Sequence, residues 1–447
     1  MMRRIAFLLL LVLAAFGCTK DRYFDSAGLQ FGDDATMKSS SPKVKIAVIS
    51  DIHFLDPSLM PENYVTNPDF QQDMSMDRKL IELSDPIFRE VISRLTPEKP
   101  DILMILGDMA CQGELLSHET VAARLQELEN TGIRVFVIPG NNDILNPDAV
   151  SYKTIPESPA ENISSDMFTQ LYGNFGYNEA ISRDPASLSY VCQPFSGLWI
   201  MGIDACKYTD NGDGTFAVDG AIADGTMDWI SERMAEARAA GITVLTMMHF
   251  AIVEHYVGQA VLEGERNYIE NHASRAQALA DEGLRLIFTG HLHGNDITDV
   301  PVSGRMLTAI ETGSLVTPPI PYRIMYLDDN FIKIETGNIT GVDAEIPGGM
   351  DFMAYADSTI RSHFNTLCYS ALRYRFGVPK DLATQMAPFF TSGFMAHFAG
   401  DEKMPPAERE AINVLAETAP PSLMPYLLNM WTDLPPYSDN KIHIKLK

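Results

Sequence analysis

The chain has 447 residues and a formal net charge of −25, with 59 Asp and Glu against 34 Lys and Arg. Apolar residues make up 46% of it and charged residues 21%, the composition of a globular protein long enough for two or more structural units. A surface this acidic repels polyanions and lacks a basic footprint, which argues against a nucleic-acid partner and for a small substrate held by local positive charge.

At the N-terminus Arg3 and Arg4 precede an unbroken apolar run, residues 5–16, that ends in Gly17-Cys18. The run is shorter than the roughly 20 residues a membrane-spanning helix needs. A basic start, an apolar middle and a small residue at the cut describe a signal peptide over residues 1–17. A Cys directly after that cut resembles the lipobox of bacterial lipoproteins, which implies lipidation of Cys18 and residues 18–43 as a polar tether. The expectation is an exported protein, anchored by lipid alone in the bacterial periplasm or at the cell surface. Plain secretion, with Cys18 an incidental thiol, is the alternative. The other cysteines, Cys111, Cys192, Cys206 and Cys368, form no CxxC pair and give neither a zinc ribbon nor a disulfide framework.

The body opens with an apolar, β-branched run at 44–50, read as a strand that ends in Asp51-Ile52-His53. A helix follows, with Asp85 as N-cap, Pro86 at its first position, Ile87, Phe88, Val91, Ile92 and Leu95 at helical spacing, and Pro97 as its stop. The strand at 101–106 runs into Gly107-Asp108. Ser117 is placed to cap the next helix, with Val121, Leu125 and Leu128 on one face and Gly132 past its end. A third strand, 133–138, leads to Pro139-Gly140-Asn141. This is a βαβαβ rhythm with continuously apolar strands, as in a sheet covered by helices.

Beyond it, strands at 187–193 and 198–203 read as a hairpin around Ser196-Gly197. A helix near 227–239 leads to a strand at 242–248 that ends at His249, and another strand at 284–289 ends at Gly290-His291-Leu292-His293. Short strands are expected near 305–311, 322–327 and 331–335. From about Pro347 the strands are expected to stop, leaving aromatic, Met-rich helical segments broken by prolines at 379, 388, 405, 406, 420 and 421. The expected division is therefore a catalytic-type domain over 44–345 and a helical C-terminal region over 346–447.

Five strand ends thus carry Asp51/His53, Asp108, Asn141, His249 and His291/His293. Ligands in open α/β sheets bind where the carboxyl ends of strands converge, so residues remote in sequence can share one crevice. Singly these residues say little, because a Gly-Asp pair is often a turn and a His after a strand is often structural. The ordered set Asp51-Ile52-His53, Gly107-Asp108, Gly140-Asn141-Asn142-Asp143, His249 and Gly290-His291-Leu292-His293 resembles the calcineurin-like metallophosphoesterase superfamily, over roughly residues 44–336. Its surroundings are similar to bacterial phosphodiesterase members, some acting on cyclic nucleotides.

The resemblance implies a four-layer αββα sandwich of two mixed sheets with a helical C-terminal extension. It implies two metal ions, one held by Asp51, His53, Asp108 and His293 and the other by Asp108, Asn141, His249 and His291, with Asp108 bridging. Nitrogen and oxygen ligands without thiolate suit Mn, Fe or Zn. A hydroxide shared between the ions would attack a small phosphoester, with a diester as the leading substrate class. A phosphomonoesterase, or a metal- and phosphate-binding protein with weak turnover, is the alternative. The chain departs from the pattern at Asn142, where the superfamily usually has a His placed to donate a proton or hydrogen bond. A carboxamide can contact phosphate but cannot act as a general acid near neutral pH. Asp143 would orient the site, and His118 or His255 could reach in as the acid, although both read as surface histidines.

Overall fold

The structure is a computed structural model that describes residues 42–212, 215–302, 304–328, 331–400 and 402–445. The strands in chain order are β1 (Val44–Ile49), β2 (Ile102–Ile105), β3 (Arg134–Val137), β4 (Val150–Ser151), β5 (Ser158–Pro159), β6 (Ser182–Arg183), β7 (Tyr190–Phe195), β8 (Leu198–Ile203), β9 (Thr243–Met248), β10 (Leu286–Thr289), β11 (Ile297–Val302), β12 (Arg305–Glu311), β13 (Pro321–Leu327), β14 (Phe331–Asn338) and β15 (Lys441–Lys445). Two mixed sheets result, in the orders β15-β14-β13-β1-β2-β3 and β11-β12-β10-β9-β8-β7-β6, beside a small β4-β5 ribbon. The strands that carry the candidate site, β1-β2-β3 in one sheet and β9-β10 in the other, run parallel to one another within each sheet, so their carboxyl ends share an edge, while β1 pairs antiparallel with β13 on its other side.

Alternation along the strands shows how the layers stack. In the second sheet Tyr190, Cys192, Ile200, Leu245 and Phe288 join the central core with β1 and β2. Their neighbours Val191, Trp199, Met201 and Ile287 join an outer core with Trp229, Ile230 and Met234 of the helix Asp224–Ala240 and Leu279 of the helix His272–Asp281. On the other side the helices Ser84–Glu98 and Leu115–Glu129 press Ile87, Val91, Val121 and Leu125 into the central core. This is the expected sandwich of two mixed sheets with helices outside.

Several boundaries differ from the sequence reading. Asp85 lies inside the first turn of a helix that begins at Ser84, where its carboxylate pairs with Arg89 (2.9 Å). Pro97 does not stop this helix, which runs to Glu98 and ends on left-handed Lys99. Ser117 is not a cap either; it is buried within the next helix, and its hydroxyl accepts from the backbone N–H of Asp56 (3.1 Å). Pro388 lies inside the helix Lys380–Ala399, whereas Pro379 and Pro405 stand at helix N-caps. Cys111, Cys192, Cys206 and Cys368 are all free thiols.

The C-terminal region is mainly helical, but the strands do not end at Pro347. The last described residues return as β15, which pairs antiparallel with β14. Its Lys-Ile-His-Ile-Lys alternation is a half-buried edge pattern that is too short to stand out beside the preceding helices. The helices Phe352–Ser370 and Lys380–Ala399 place Ile360, Phe364, Phe394 and Phe398 in the same core as β1, with the Phe364 and Phe394 rings 4.8 Å apart. Because that core is shared, Phe398→Ala should cost about 3–5 kcal/mol and lower one common melting transition, followed by calorimetry. Two separable transitions would show that the helices fold apart from the sandwich.

Candidate metal centre

All seven candidate ligands are buried and meet at the shared strand edge. Asp51, His53 and His293 form one group, and Asp108, His249 and His291 a second, with the ligand atoms of each group within 4.8 Å of one another. Asn141 joins the second through Oδ1, 3.1 Å from His249 Nε2. The two groups meet at Asp108, whose Oδ2 lies 3.6 Å from His53 Nε2 and 3.4 Å from His249 Nε2.

The backbone is bent to make this possible. Five of the seven, Asp51, His53, Asp108, His291 and His293, have positive φ between 43° and 70°. Non-Gly residues avoid that region, and each departure costs on the order of 1–3 kcal/mol, so it persists only where the surroundings enforce it. Here the chain turns sharply after β1, β2 and β10, where these five ligands stand, whereas Asn141 and His249 follow β3 and β9 without a left-handed residue. The glycines beside the ligands have a different purpose. A Cβ on Gly290 would collide with Ser50 Oγ and Asp51 Oδ2, and one on Gly140 with the Asp108 carboxylate.

A tier of hydrogen bonds fixes which atoms remain available. His249 Nδ1 lies 2.7 Å from the carbonyl oxygen of Leu106, which can only accept, so the ring proton belongs on Nδ1 and Nε2 faces the site. The Thr317 hydroxyl donates to the Arg78 carbonyl (2.8 Å), so at 2.9 Å it accepts from His293 Nδ1–H and leaves Nε2 as the donor atom. Asp51 Oδ2 accepts from Ser50 Oγ and from the His291 N–H (3.0 Å), whereas its Oδ1 has no hydrogen-bond partner. Both oxygens of Asp108 are held by Asn142, Oδ1 by the backbone N–H (2.8 Å) and Oδ2 by Nδ2 (2.6 Å).

The electrostatics suit a cation. Burial opposes ionisation of Asp51 and Asp108, yet the imidazoles of His293 and His249 respectively pull both well below the usual carboxylate range. Burial also presses the histidines toward neutrality: His291 falls well below its ordinary value, and His293 drops to about 3, with the Arg78 charge adding to the effect. At His249 the Asp108 carboxylate overrides burial and lifts the group to about 9, marking a point where positive charge is favoured. The His53 and His293 Nε2 atoms face each other at 3.3 Å, both within 3.6 Å of the unpartnered Asp51 Oδ1. Two converging imidazole nitrogens and a bare carboxylate oxygen fit a metal ion, and the donor set contains no thiolate.

The remaining candidates sort clearly. Asp143 is buried and staples two loops, its Oδ1 accepting from the Ala110 N–H (3.1 Å) and its Oδ2 from the Gly140 N–H (2.7 Å). His118 and His255 are not surface residues; each is fully buried. His118 is locked between the Tyr172 hydroxyl (2.8 Å) and the Asp143 carbonyl (3.0 Å), and burial lowers it to about 3, so it is a neutral structural group. His255 pairs with Asp296 (2.7 Å) and lies outside both groups. Sequence reasoning missed Thr317 and Arg78, which stand on loops with no motif of their own. Arg78 Nη2 donates to the His291 carbonyl (2.8 Å). If Thr317 sets the tautomer of His293, Thr317→Val should weaken metal binding by about 10–100-fold, read by chelator competition; unchanged affinity would refute that role.

A sequence model described as calcineurin-like phosphoesterase matches residues 44–295, more than half of the chain. No curated protein matches it. Similar solved structures include a dimetal phosphatase from Danio rerio, 14% identical, with a TM-score of 0.46 over 67% of this chain and 97% of that one. The purple acid phosphatase PPD1 from yellow lupin (Lupinus luteus) seeds is 12% identical, with a TM-score of 0.42 over 67% of this chain and 52% of that one. The sulfate thiohydrolase SoxB from Thermus thermophilus is 13% identical, with a TM-score of 0.36 over 71% of this chain and 60% of that one. With the family match spanning the strand ends that bring these ligands together, the chain belongs to the calcineurin-like phosphoesterases and is a metal-dependent phosphoester hydrolase with a dimetal centre.

Proposed function

We propose that the chain hydrolyses a small phosphodiester, a cyclic nucleotide or a compound like it. In this reading Asp51, His53 and His293 hold one ion, Asn141, His249 and His291 the other, and Asp108 is shared. When bound, ions of the Mn, Fe or Zn class activate a water and neutralise charge on the phosphoryl oxygens. The chain's own residues set the geometry. Leu106 and Thr317 fix the His249 and His293 rings, and the Asn142 side chain is spent on Asp108. Asn142 therefore positions the shared carboxylate and gives no proton to the leaving group, so substrates whose leaving group needs little protonation are favoured.

The observation that carries the diester reading is Arg78. Its guanidinium binds the His291 loop and also lines a cavity of about 240 Å³, walled by Phe364, Leu367, Phe390 and Phe394 with Arg375 at its edge. A monoester has one substituent, whereas a diester carries a second arm that must lie somewhere beside the metals. The cavity offers that arm an apolar wall next to a fixed positive charge.

With Mn supplied, bis-p-nitrophenyl phosphate should be turned over faster than p-nitrophenyl phosphate, and Arg78→Ala should raise KM for the diester more than for the monoester. Metal uptake with no turnover of either ester would sink the reading. Asn142→His should raise turnover of unactivated dialkyl esters by up to about 100-fold while leaving nitrophenyl esters nearly unchanged; equal effects on both would remove the leaving-group argument.

We also propose that the hydrolase is exported and held at a membrane by lipid on Cys18. Residues 1–41 lie outside the described residues, so the support is the sequence of that segment. Among the described residues no helix is long and apolar enough to cross a membrane. The full-length chain should partition with membranes and Cys18→Ser should release it; a variant that stays membrane-bound would count against the anchor.

A further inference from the structure

A second acidic cluster lies beside the dimetal centre and shares none of its ligands. Asp296 follows His293 by three residues, Glu402 lies just past the helix Lys380–Ala399, and Asp433 and Asp439 precede β15. One oxygen from each lies within 4.8 Å of the others; Asp296, Glu402 and Asp439 are buried and Asp433 is partly so. Around them stand His255, paired with Asp296 Oδ1 (2.7 Å) and Glu311 Oε2 (3.2 Å), and His397, paired with Glu402 Oε1 (2.7 Å). Arg323 donates to the carbonyls of Asp439 (2.6 Å) and Glu311 (2.6 Å). Three basic side chains thus stand among five acidic ones in a buried place, and burial pushes the Glu311 carboxyl up to about 7.

Pairing within the cluster leaves specific atoms over. Asp296 Oδ1 accepts from His255 and from Thr298 Oγ1 (2.8 Å), but Oδ2 accepts no hydrogen bond and faces His397 Nδ1 at 3.8 Å. Glu402 Oε2, beside the oxygen that pairs with His397, also accepts none. Nor does Oδ1 of the fully buried Asn295, whose amide reaches Asn440, next to Asp439 (2.9 Å). Asp296 and Glu402 are 1% and 8% exposed, so bulk water cannot complete them, and a buried bare carboxylate oxygen is costly.

We infer that Asp296, Glu402, Asp433 and Asp439 hold a third cation, a hard divalent ion of the calcium class, that clamps the C-terminal helices and β15 onto the loop carrying His293. Several convergent carboxylate oxygens are the ligands such an ion takes. The position explains why three remote segments bring negative charge to one spot. Asp296 stands at the start of β11, Glu402 just past a C-terminal helix, and Asp433 and Asp439 on the segment that leads into β15, so one ion ties all three together.

The full-length chain, loaded with Mn, is titrated with Ca²⁺ while metal content and Tm are measured. The expected result is one Ca²⁺ per chain beyond the two Mn, with a saturable Tm rise of roughly 2–5 °C. Glu402→Gln should lose both the third ion and the Tm rise yet keep two Mn. Asp108→Asn should keep the Ca²⁺-dependent rise, which separates this site from the dimetal centre. Should Glu402→Gln not fold, the partly exposed Asp433→Asn takes its place, with the same loss expected. No ion beyond two in the wild-type chain, or an equal Tm rise in Glu402→Gln or Asp433→Asn, would overturn the inference.

Discussion

The structure turns on one buried carboxylate. Asp108 is 1% exposed, and its Oδ2 stands almost midway between His53 and His249, which belong to opposite sheets of the sandwich. Placing an ion in such a site costs several kcal/mol unless charge and hydrogen bonds repay it. The surroundings of Asp108 answer that requirement at each contact. Asn142 holds both of its oxygens, His249 lends positive charge, and glycine at position 140 leaves room for the carboxylate itself. A dimetal centre supplies the remaining charge, so metal occupancy and the integrity of this sheet edge are one energetic problem.

The same constraint accounts for the backbone. Side chains at the ends of parallel strands point along or away from the sheet unless the chain reverses at once. Positive φ at Asp51, His53, Asp108, His291 and His293 achieves the reversal within a residue or two. That conformation is unfavourable one residue at a time and is held by strands buried on both faces. The strain sits where metal ligands must converge, and the two apolar cores on either side of the second sheet bear it.

The C-terminal segment is more than an appendage to this scheme. Its helices extend the central core, and its aromatic residues wall a cavity that touches the His291 loop through Arg78. Its final strand completes the first sheet. Tyr355 reaches back to Glu82 (2.7 Å), four residues after Arg78, so the helices are tied to the segment that holds the His291 loop. In a chain this acidic, the positive charge at the site comes from a few fixed groups and bound ions, which keeps recognition local.

The sequence alone carried the seven candidate ligands and their order, because chemistry at strand ends needs particular residue types: Asp and His for a cation, Gly where backbone and ligand approach closely. It also carried most strands of the sandwich, since an apolar β-branched run is a local signal. Tertiary structure decided what depends on partners remote in the chain. The Asn142 side chain proved to hold Asp108, His118 and His255 proved to be buried, and Thr317 and Arg78 entered without any motif. β15 lay hidden in five residues whose only reason to be extended is the open edge of β14. A residue's type limits the chemistry it can perform, but its partners determine which part of that chemistry it uses, and those partners come from segments that meet only in the folded chain.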